Sequence, residues 1–186
     1  MATTDPQHGA RGRATPIELP TDLARPLVAV GWLVGTWQGA GEVTYPTMER
    51  AVPFGQEVVV SHDGRPFLRW DSRTWELDPD GRTGAPLATE TGFWRVPSGE
   101  AGIDGTEVEL LLAHPMGYVE QYLGTAHAGK IELRTELVAR SRDAKEYAAA
   151  TRLYGYVAGD LLWAMDMVAV GSPMASHASA RLKKVA

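Results

Sequence analysis

Cysteine is absent from the 186 residues of the chain. The protein therefore has no disulfide, no thiolate metal ligand and no cysteine nucleophile. The sequence also lacks an apolar run of the roughly 20 residues needed to span a bilayer. Its first residues, MATTDPQHGARGRATP, contain no apolar segment of the kind that secretory signal peptides carry. We therefore expect a cytoplasmic protein with no membrane partner.

An excess of positive charge is missing as well. The formal net charge is -5, and acidic and basic residues are interspersed along the chain. Binding of a nucleic acid needs a basic face, so we expect no nucleic-acid partner. The sequence contains no nucleophile elbow, phosphate-binding glycine loop or metal-spaced histidine pair. Most Asp and Glu residues alternate with apolar residues, which predicts solvated faces and argues against a paired-carboxylate hydrolase.

Long helical patterns are missing too, and an alternation of period two takes their place. It is clearest in KIELRTELV, residues 130–138, and in EVELLLAH, residues 107–114. Such alternation places one face of a strand on a core and the other in water. Turn signals such as HDGRP, DPDGRTG, HAG and AGD separate these runs at intervals of about 8–12 residues, as in all-β domains. Without crossover helices the strands must be antiparallel.

Roughly ten strands in simple succession predict an all-β fold, an antiparallel up-and-down meander closed into a barrel, because closure removes the exposed sheet edges. A barrel of this size has an interior that can hold one small ligand. A two-sheet sandwich remains the alternative. Residues 1–20 are polar and predict a disordered N-terminal tail, so the domain should span residues 21–186. At its start, Thr21 as N-cap with Leu23, Leu27 and Val30 predicts one short helix.

The segment GTWQGAG, residues 35–41, opens the first predicted strand. Its glycines Gly35, Gly39 and Gly41 share one face with Trp37. Glycine weakens strand interiors, so the presence of three glycines in this strand requires an explanation. One interpretation is a strongly bent strand in which the tryptophan plugs the end of the barrel. The other is a face on which another backbone or a flat ligand approaches closely.

His177 and Lys145 are the side chains whose placement the pattern leaves open. His177 is flanked by the small residues Ser176 and Ala178, which leave room beside an imidazole. Period two puts it on the face opposite to Ala178, unless the chain bends there. It is either a surface histidine or a ligand at a cavity. Lys145 is either a solvated residue of a hairpin turn or a cation at the barrel mouth that pairs with an anionic ligand group.

Several segments in order resemble the nitrobindins, haem proteins whose ten-stranded antiparallel barrel is of the calycin type, similar to fatty-acid-binding proteins. The likeness runs from about residue 25 to the C-terminus. It departs from the family pattern in the longer N-terminal tail and in TMER, residues 47–50. The segments that carry it are GTWQGAG, YPT (residues 45–47), HDGRPFL (62–68), ETGFWR (90–95), LAHPMGYVE (112–120), AKE (144–146) and the final H-x-S-A (177–180).

The resemblance implies a function and a site. It implies a peroxynitrite isomerase that converts peroxynitrite to nitrate and binds nitric oxide, acting as a monomer or homodimer. His177 matches the proximal ligand of ferric haem b, and imidazole is a natural axial ligand for haem iron. Thr47 and Lys145 match residues near the cofactor. We expect the remaining haem contacts on the first strand, at Gly35, Trp37, Gly39 and Gly41.

These candidate residues offer few strong hydrogen-bond donors. The sequence therefore predicts a weakly polar cavity opposite the axial histidine, without a positioned acid–base pair. The alternative function is a haem-independent carrier of a small apolar ligand, as in the fatty-acid-binding proteins.

Overall fold

The computed structural model describes residues 16–100 and 105–186. Two 3-10 helices, Arg25–Ala29 and Gly31–Leu33, precede the strands. The described part of the chain then forms ten strands, which are β1 (Gly35–Val43), β2 (Val52–Ser61), β3 (Phe67–Leu77), β4 (Thr83–Arg95), β5 (Thr106–His114), β6 (Tyr118–His127), β7 (Lys130–Arg140), β8 (Tyr147–Val157), β9 (Asp160–Ala169) and β10 (Ala175–Lys184).

The strands form one closed antiparallel barrel in which each strand pairs with its neighbours in the sequence. The barrel closes between the first and last strands, where β1 and β10 pair from Trp37 opposite Lys184 to Val43 opposite Ala178. Closure leaves no free sheet edge, which is the physical advantage that the sequence argument relied on. The predicted up-and-down barrel is confirmed, and the two-sheet sandwich is excluded.

Tight two-residue turns join several of the strands. Ala128 and Gly129, between β6 and β7, have φ angles of 47° and 79°. Ala158 and Gly159, between β8 and β9, have φ angles of 54° and 92°. Two successive residues with positive φ form the type I′ turn, whose twist matches that of antiparallel hairpins. These turns explain why the segments HAG and AGD interrupt the alternating pattern of the strands.

The N-terminal segment differs from its prediction. In place of one helix capped by Thr21, the chain forms two short 3-10 helices, and the first has Ala24 at its N-cap with no side-chain cap bond. Val30 lies between the two and caps both. Their buried side chains close one end of the barrel, where the indole Nε1 of Trp37 donates to the carbonyl of Leu33 at 2.7 Å.

Of the predicted disordered tail, residues 1–20, the part up to residue 15 lies outside the described residues. Within residues 16–20, the Cδ1 of Ile17 lies beside Gly129, and the Cδ2 of Leu19 lies beside Gly31. These contacts place the last part of the predicted tail against the domain. In the described residues, no helix is both long and apolar enough to traverse a bilayer.

Candidate functional site

A cavity of about 750 Å³ opens at the end of the barrel opposite to Trp37. This volume falls within the roughly 300–1,000 Å³ that small-molecule sites occupy. The loops that join β1 to β2, β5 to β6 and β7 to β8 contribute to its wall. Three of the residues predicted from the sequence, Thr47, Lys145 and His177, all line this one cavity.

His177 reaches the cavity because β10 is irregular at its start. In the pairing with β9, Ser176 lies opposite Asp166 and Ala178 lies opposite Met165, so His177 is an extra residue without a partner in the register. Such a β-bulge bends the strand and redirects a side chain. His177 and Ala178 consequently both line the cavity, although strict alternation would put them on opposite faces. The bend that the sequence left open is present.

The imidazole of His177 is fixed through one of its two nitrogens. Its Nδ1 lies 3.1 Å from the carbonyl oxygen of Thr44, to which it donates. Nε2 is then the nitrogen available to a ligand in the cavity. Burial lowers the pKa of His177, and the hydrogen bond to Thr44 acts in the opposite direction. A neutral imidazole with Nδ1–H bonded to a backbone carbonyl is the usual form of a metal-ligating histidine.

Tyr45 supports both His177 and the loop that carries Thr47. Its hydroxyl accepts a bond from the backbone N–H of Ala169 at 2.7 Å and donates to the carbonyl of the same residue at 3.0 Å. Its ring meets that of His177 edge-on, with 5.8 Å between the centroids. The carbonyl of Tyr45 also accepts the N–H of Met48 at 2.9 Å, closing the turn. Thr47 lies exposed in this turn.

Lys145 lies in the loop between β7 and β8 and is exposed at the cavity rim. Its carbonyl oxygen accepts a hydrogen bond from the Tyr118 hydroxyl at 3.1 Å and one from Nη1 of Arg140 at 3.0 Å. The backbone at this position is therefore anchored on two sides. Its ammonium group supplies a positive charge at the rim, as one interpretation of the sequence required.

The glycine motif of β1 does not line the cavity, which differs from the prediction. Gly35, Trp37, Gly39 and Gly41 are not part of its wall. A Cβ added at Gly39 would lie 2.2 Å from the carbonyl oxygen of Arg181 on β10. One at Gly41 would lie 2.1 Å from that of Ser179. These two glycines thus allow close approach of another backbone, that of β10, and Trp37 is buried at the far end of the barrel.

The prediction of a weakly polar cavity is wrong. Its wall carries four ionisable side chains from four different strands, Glu90 on β4, His114 on β5, Glu120 on β6 and Arg152 on β8. The sequence argument had placed most Asp and Glu residues on solvated faces.

Arg152 and Glu90 form the core of this group. Nη1 and Nη2 of Arg152 donate to the two carboxylate oxygens of Glu90 at 2.9 and 2.8 Å. The indole Nε1 of Trp70 donates to Glu90 as well, at 3.0 Å. Burial raises the pKa of Glu90, but Arg152 outweighs it and the net shift is downward. The pKa of Arg152 lies well above its ordinary value, because the attraction of Glu90 exceeds the effect of burial. Both groups are therefore ionised.

Glu120 is the second carboxylate, and its side chain is fully buried. One oxygen accepts the hydroxyls of Tyr122, at 2.6 Å, and of Tyr147. The other lies 2.5 Å from Nε2 of His114. Burial opposes ionisation, but these bonds and the charge of Arg152 hold the pKa of Glu120 at about 2. Burial and the nearby carboxylate raise the pKa of both tyrosines, which stay neutral donors.

A sequence signal for this group existed. Arg152 has the same parity in β8 as Ala150 and Tyr154, which are buried. Glu120 has the same parity in β6 as Tyr122, and His114 shares the face of Leu112 in β5. Charged residues that alternate in phase with core residues indicate an interior polar network rather than a solvated face.

Another part of the cavity wall is apolar and adaptable. Met48, Met165 and Met167 line it together with Leu87 and Ala178. Methionine side chains fit irregular shapes because they have three rotatable bonds and a polarisable sulfur. The site therefore combines an apolar space, a histidine held by one nitrogen, a rim cation and a buried ionic wall.

These features define a β-barrel protein with a cavity of small-molecule size and a histidine in the cavity wall. Residues 26–184 match the family described as THAP4-like, heme-binding beta-barrel domain, and the chain belongs to this family. The match spans all ten strands of the described barrel.

Individual relatives agree with this assignment. A ferric nitrobindin-like protein of Kineococcus radiotolerans is 47% identical over 91% of this chain and 98% of its own. A peroxynitrite isomerase of a Nocardioides species is 46% identical over 90% of this chain and 98% of its own. The crystal structure of Rv2717c from M. tuberculosis superposes with a TM-score of 0.76 and 35% identity, covering 88% of this chain and 99% of that one. The resemblance to the nitrobindins is confirmed.

The residues present fit a haem. His177 offers a nitrogen whose partner nitrogen is already bonded to Thr44. Methionine and aliphatic side chains form part of the wall, and Lys145 places a cation at the rim where acidic groups of a ligand would emerge. The observation that decides the fit is the His177–Thr44 bond, because axial histidines of haem and other metals are oriented in this way.

Proposed function

We propose that the protein is a haem-dependent peroxynitrite isomerase, which converts peroxynitrite to nitrate and binds nitric oxide in the same cavity. We expect it to act in the cytoplasm as a monomer or homodimer, without a nucleic-acid or membrane partner. The observation that carries the proposal is His177, redirected into the cavity by a β-bulge and held by Thr44 through Nδ1. The name of the Nocardioides relative, peroxynitrite isomerase, supports the activity, and that of the Kineococcus relative, ferric nitrobindin-like protein, supports the ferric haem.

In this proposal, His177 would hold the haem iron through Nε2. Thr44 fixes the tautomer of its ring, and Tyr45 packs against the ring edge, so the ligand nitrogen keeps one direction. When bound, ferric haem supplies a redox-active iron to which a small ligand can coordinate. Lys145 would pair with the acidic groups of the cofactor, and Thr47 would contribute to the same rim. The glycine motif acts on the fold and does not contact the cofactor.

The barrel contributes confinement. Isomerisation to nitrate requires that the fragments of peroxynitrite recombine with each other rather than react with tyrosine or solvent. A cavity that is closed at one end by Trp37 and has methionines in its wall would limit the escape of these fragments. The protein part of the reaction is therefore to orient the ligand and keep it enclosed.

The carrier alternative is less well supported. A carrier of fatty acids needs a cation inside the barrel that receives the ligand carboxylate. Arg152 is the cation of the inner wall, and Glu90 already binds it through two hydrogen bonds. An entering carboxylate would have to displace an internal one and would meet Glu120 beside it. We expect displacement assays with fluorescent fatty acids to show no saturable binding.

The proposal is tested by the decay of peroxynitrite in stopped-flow experiments, with nitrate yield and nitration of free tyrosine as further readouts. The haem-loaded parent should accelerate decay and suppress nitration, whereas His177→Ala should fall to the rate of buffer with the same haem added. His127→Ala is the matched control, because His127 is exposed at the opposite end of the barrel. Equal protection by the parent and His177→Ala would refute the proposal.

A further inference from the structure

His114 lies across the cavity from His177. It is the last residue of β5, and His177 is near the start of β10. In the closed order of ten strands, β5 lies five strands away from β10 in either direction. The two histidines therefore lie on opposite walls of the same cavity and towards its same, open end. A ligand held at one of them faces the other.

The orientation of His114 is set by Glu120. The 2.5 Å contact between Nε2 and the ionised Glu120 requires that Nε2 carry a proton. Nδ1 then holds the lone pair in the neutral ring. The oxygen of Glu90 that lies nearest to Nδ1 is 4.0 Å away, beyond hydrogen-bond distance. The side chain is 13% exposed, while that of Glu120 is fully buried. His114 is thus the member of the ionic wall that presents a base to the cavity.

The charged groups beside His114 do not balance one another. Glu90 and Glu120 are ionised, and Arg152 is the cation that faces them, so these three groups sum to one negative charge. A proton on His114 would bring the sum to zero. The titratable and charged groups around His114 are Glu90 from β4, Glu120 and Tyr118 from β6, and Arg152 and Tyr147 from β8.

We propose that His114, oriented by Glu120, is the proton acceptor of this cavity and takes the proton of a weak acid that enters neutral and stays as its anion. This inference rests on the proposed function. Peroxynitrous acid is such an acid, and its conversion to nitrate releases one proton. The O–H bond breaks, its electron pair stays on oxygen, and the proton moves to Nδ1 of His114. No oxidant or reductant is consumed, because nitrate contains the same atoms and charge as the peroxynitrite anion.

The same arrangement explains how an anion can be accommodated beside two carboxylates. An anion that enters alone would meet a wall of net negative charge. An acid enters without charge, and the proton left on His114 neutralises the wall beside the new anion. The pair resembles the carboxylate–histidine pairs in which the acidic group holds the tautomer and stabilises the imidazolium that forms.

The variant that isolates this role is His114→Gln. The glutamine amide can still donate to Glu120, so the buried network keeps its bond, but the side chain has no basic nitrogen. His127→Gln serves as the control, because it removes an exposed imidazole outside the cavity wall. Urea unfolding of the apo forms should verify that both variants are folded.

The first experiment uses hydrogen cyanide as the probe acid and nitric oxide as a probe that carries no proton. Stopped-flow absorbance of the ferric haem-loaded protein should show cyanide association slowed by about 100-fold in His114→Gln, the lower end of what a positioned acid–base group contributes. Nitric oxide association should be unchanged, and His127→Gln should match the parent with both probes. Cyanide association at the parent rate in His114→Gln would overturn the proposal, while intact haem binding would leave the proposed function standing.

The second experiment needs no haem. Nitrogen chemical shifts of the apo protein, labelled at histidine, should show neutral His114 with its proton on Nε2. Glu120→Gln should redistribute the tautomers, because an amide can accept or donate. Finding the proton on Nδ1 of His114 in the parent would contradict the proposed orientation and thereby the inference.

Discussion

His177 and Thr44 are joined by two hydrogen bonds. The backbone N–H of Thr44 donates to the carbonyl of His177 at 2.7 Å, and Nδ1 of His177 donates to the carbonyl of Thr44 at 3.1 Å. The first bond continues the pairing of β1 with β10 past the end of β1, at the residue where β10 bulges. The second uses that position to fix the ring. The same two residues therefore establish both the strand pairing and the orientation of the His177 ring.

Tyr45 should be needed for this geometry. In Tyr45→Phe the buried N–H of Ala169 loses its acceptor, and an unsatisfied buried group costs about 1–3 kcal/mol. We expect a loss of that size in the free energy of unfolding, together with faster transfer of haem to a competing apoprotein. Tyr156→Phe is the control, because Tyr156 packs its ring against Trp32 and Trp37 at the closed end. Equal urea midpoints for both variants would count against the role of the Tyr45 hydroxyl.

The barrel itself was predictable because period-two alternation and turn residues are local signals. The runs at residues 107–114 and 130–138, with turns such as Ala128–Gly129, define strands and hairpins without any long-range information. Closure followed from the need to remove sheet edges. The prediction of one N-terminal helix differs from the structure because the spacing of apolar residues does not distinguish an α-helix from consecutive 3-10 turns.

The site was predictable only in part. The bulge that turns His177 inward depends on how β10 pairs with β9, and no residue pattern in β10 alone specifies it. The ionic wall joins residues as far apart in sequence as Glu90 and Arg152, so it appears only once the barrel is closed. Its signal in the sequence was the parity of Glu120 and Arg152 with buried neighbours, which the assumption of solvated carboxylates concealed.

Arg152 should be essential for folding stability. Removing one partner of a buried ion pair leaves uncompensated charge and costs about 3–5 kcal/mol. We expect Arg152→Met to lower the free energy of unfolding by about that amount, since Glu90 and Glu120 would remain buried without their cation. Arg181→Met is the control, because the Arg181–Asp160 pair is exposed on its arginine side and surface pairs contribute about 0–1 kcal/mol. Similar denaturation midpoints for the two variants would show that Arg152 is not essential for folding stability.

Acid should unfold the protein through the same network. Folding lowers the pKa of Glu90 and brings that of Glu120 from 4.5 to about 2. The stability gained from each ionised carboxylate is complete above the unfolded pKa and is lost as pH falls through the folded one. We expect the urea midpoint to decrease as pH is lowered from 4.5 towards 2. The decrease should be shallower in Glu120→Gln, and identical slopes for the two proteins would contradict this linkage.

The glycine motif should affect the seam of the barrel, which is the pairing of β1 with β10. In Gly39→Ala the new Cβ would lie 2.2 Å from the backbone oxygen of Arg181, so β1 and β10 must separate. Overpacking of this kind costs about 1–3 kcal/mol, and amide exchange should accelerate selectively in those strands. Gly155→Ala is the control, because its Cβ would meet only Val157, at 3.8 Å. If Gly39→Ala were as stable as Gly155→Ala, the seam would not require a glycine.

The central claim is that His177 is the axial ligand, and the absorbance spectrum of ferric haem added to the apo protein tests it most directly. The parent and His127→Ala should bind haem with the same Soret band. Loss of groups that merely orient a ligand weakens metal binding by about 10–100-fold, so loss of the ligand in His177→Ala should weaken haem binding at least that much and shift the band. The parent spectrum with parent affinity in His177→Ala would show that the haem iron has another ligand.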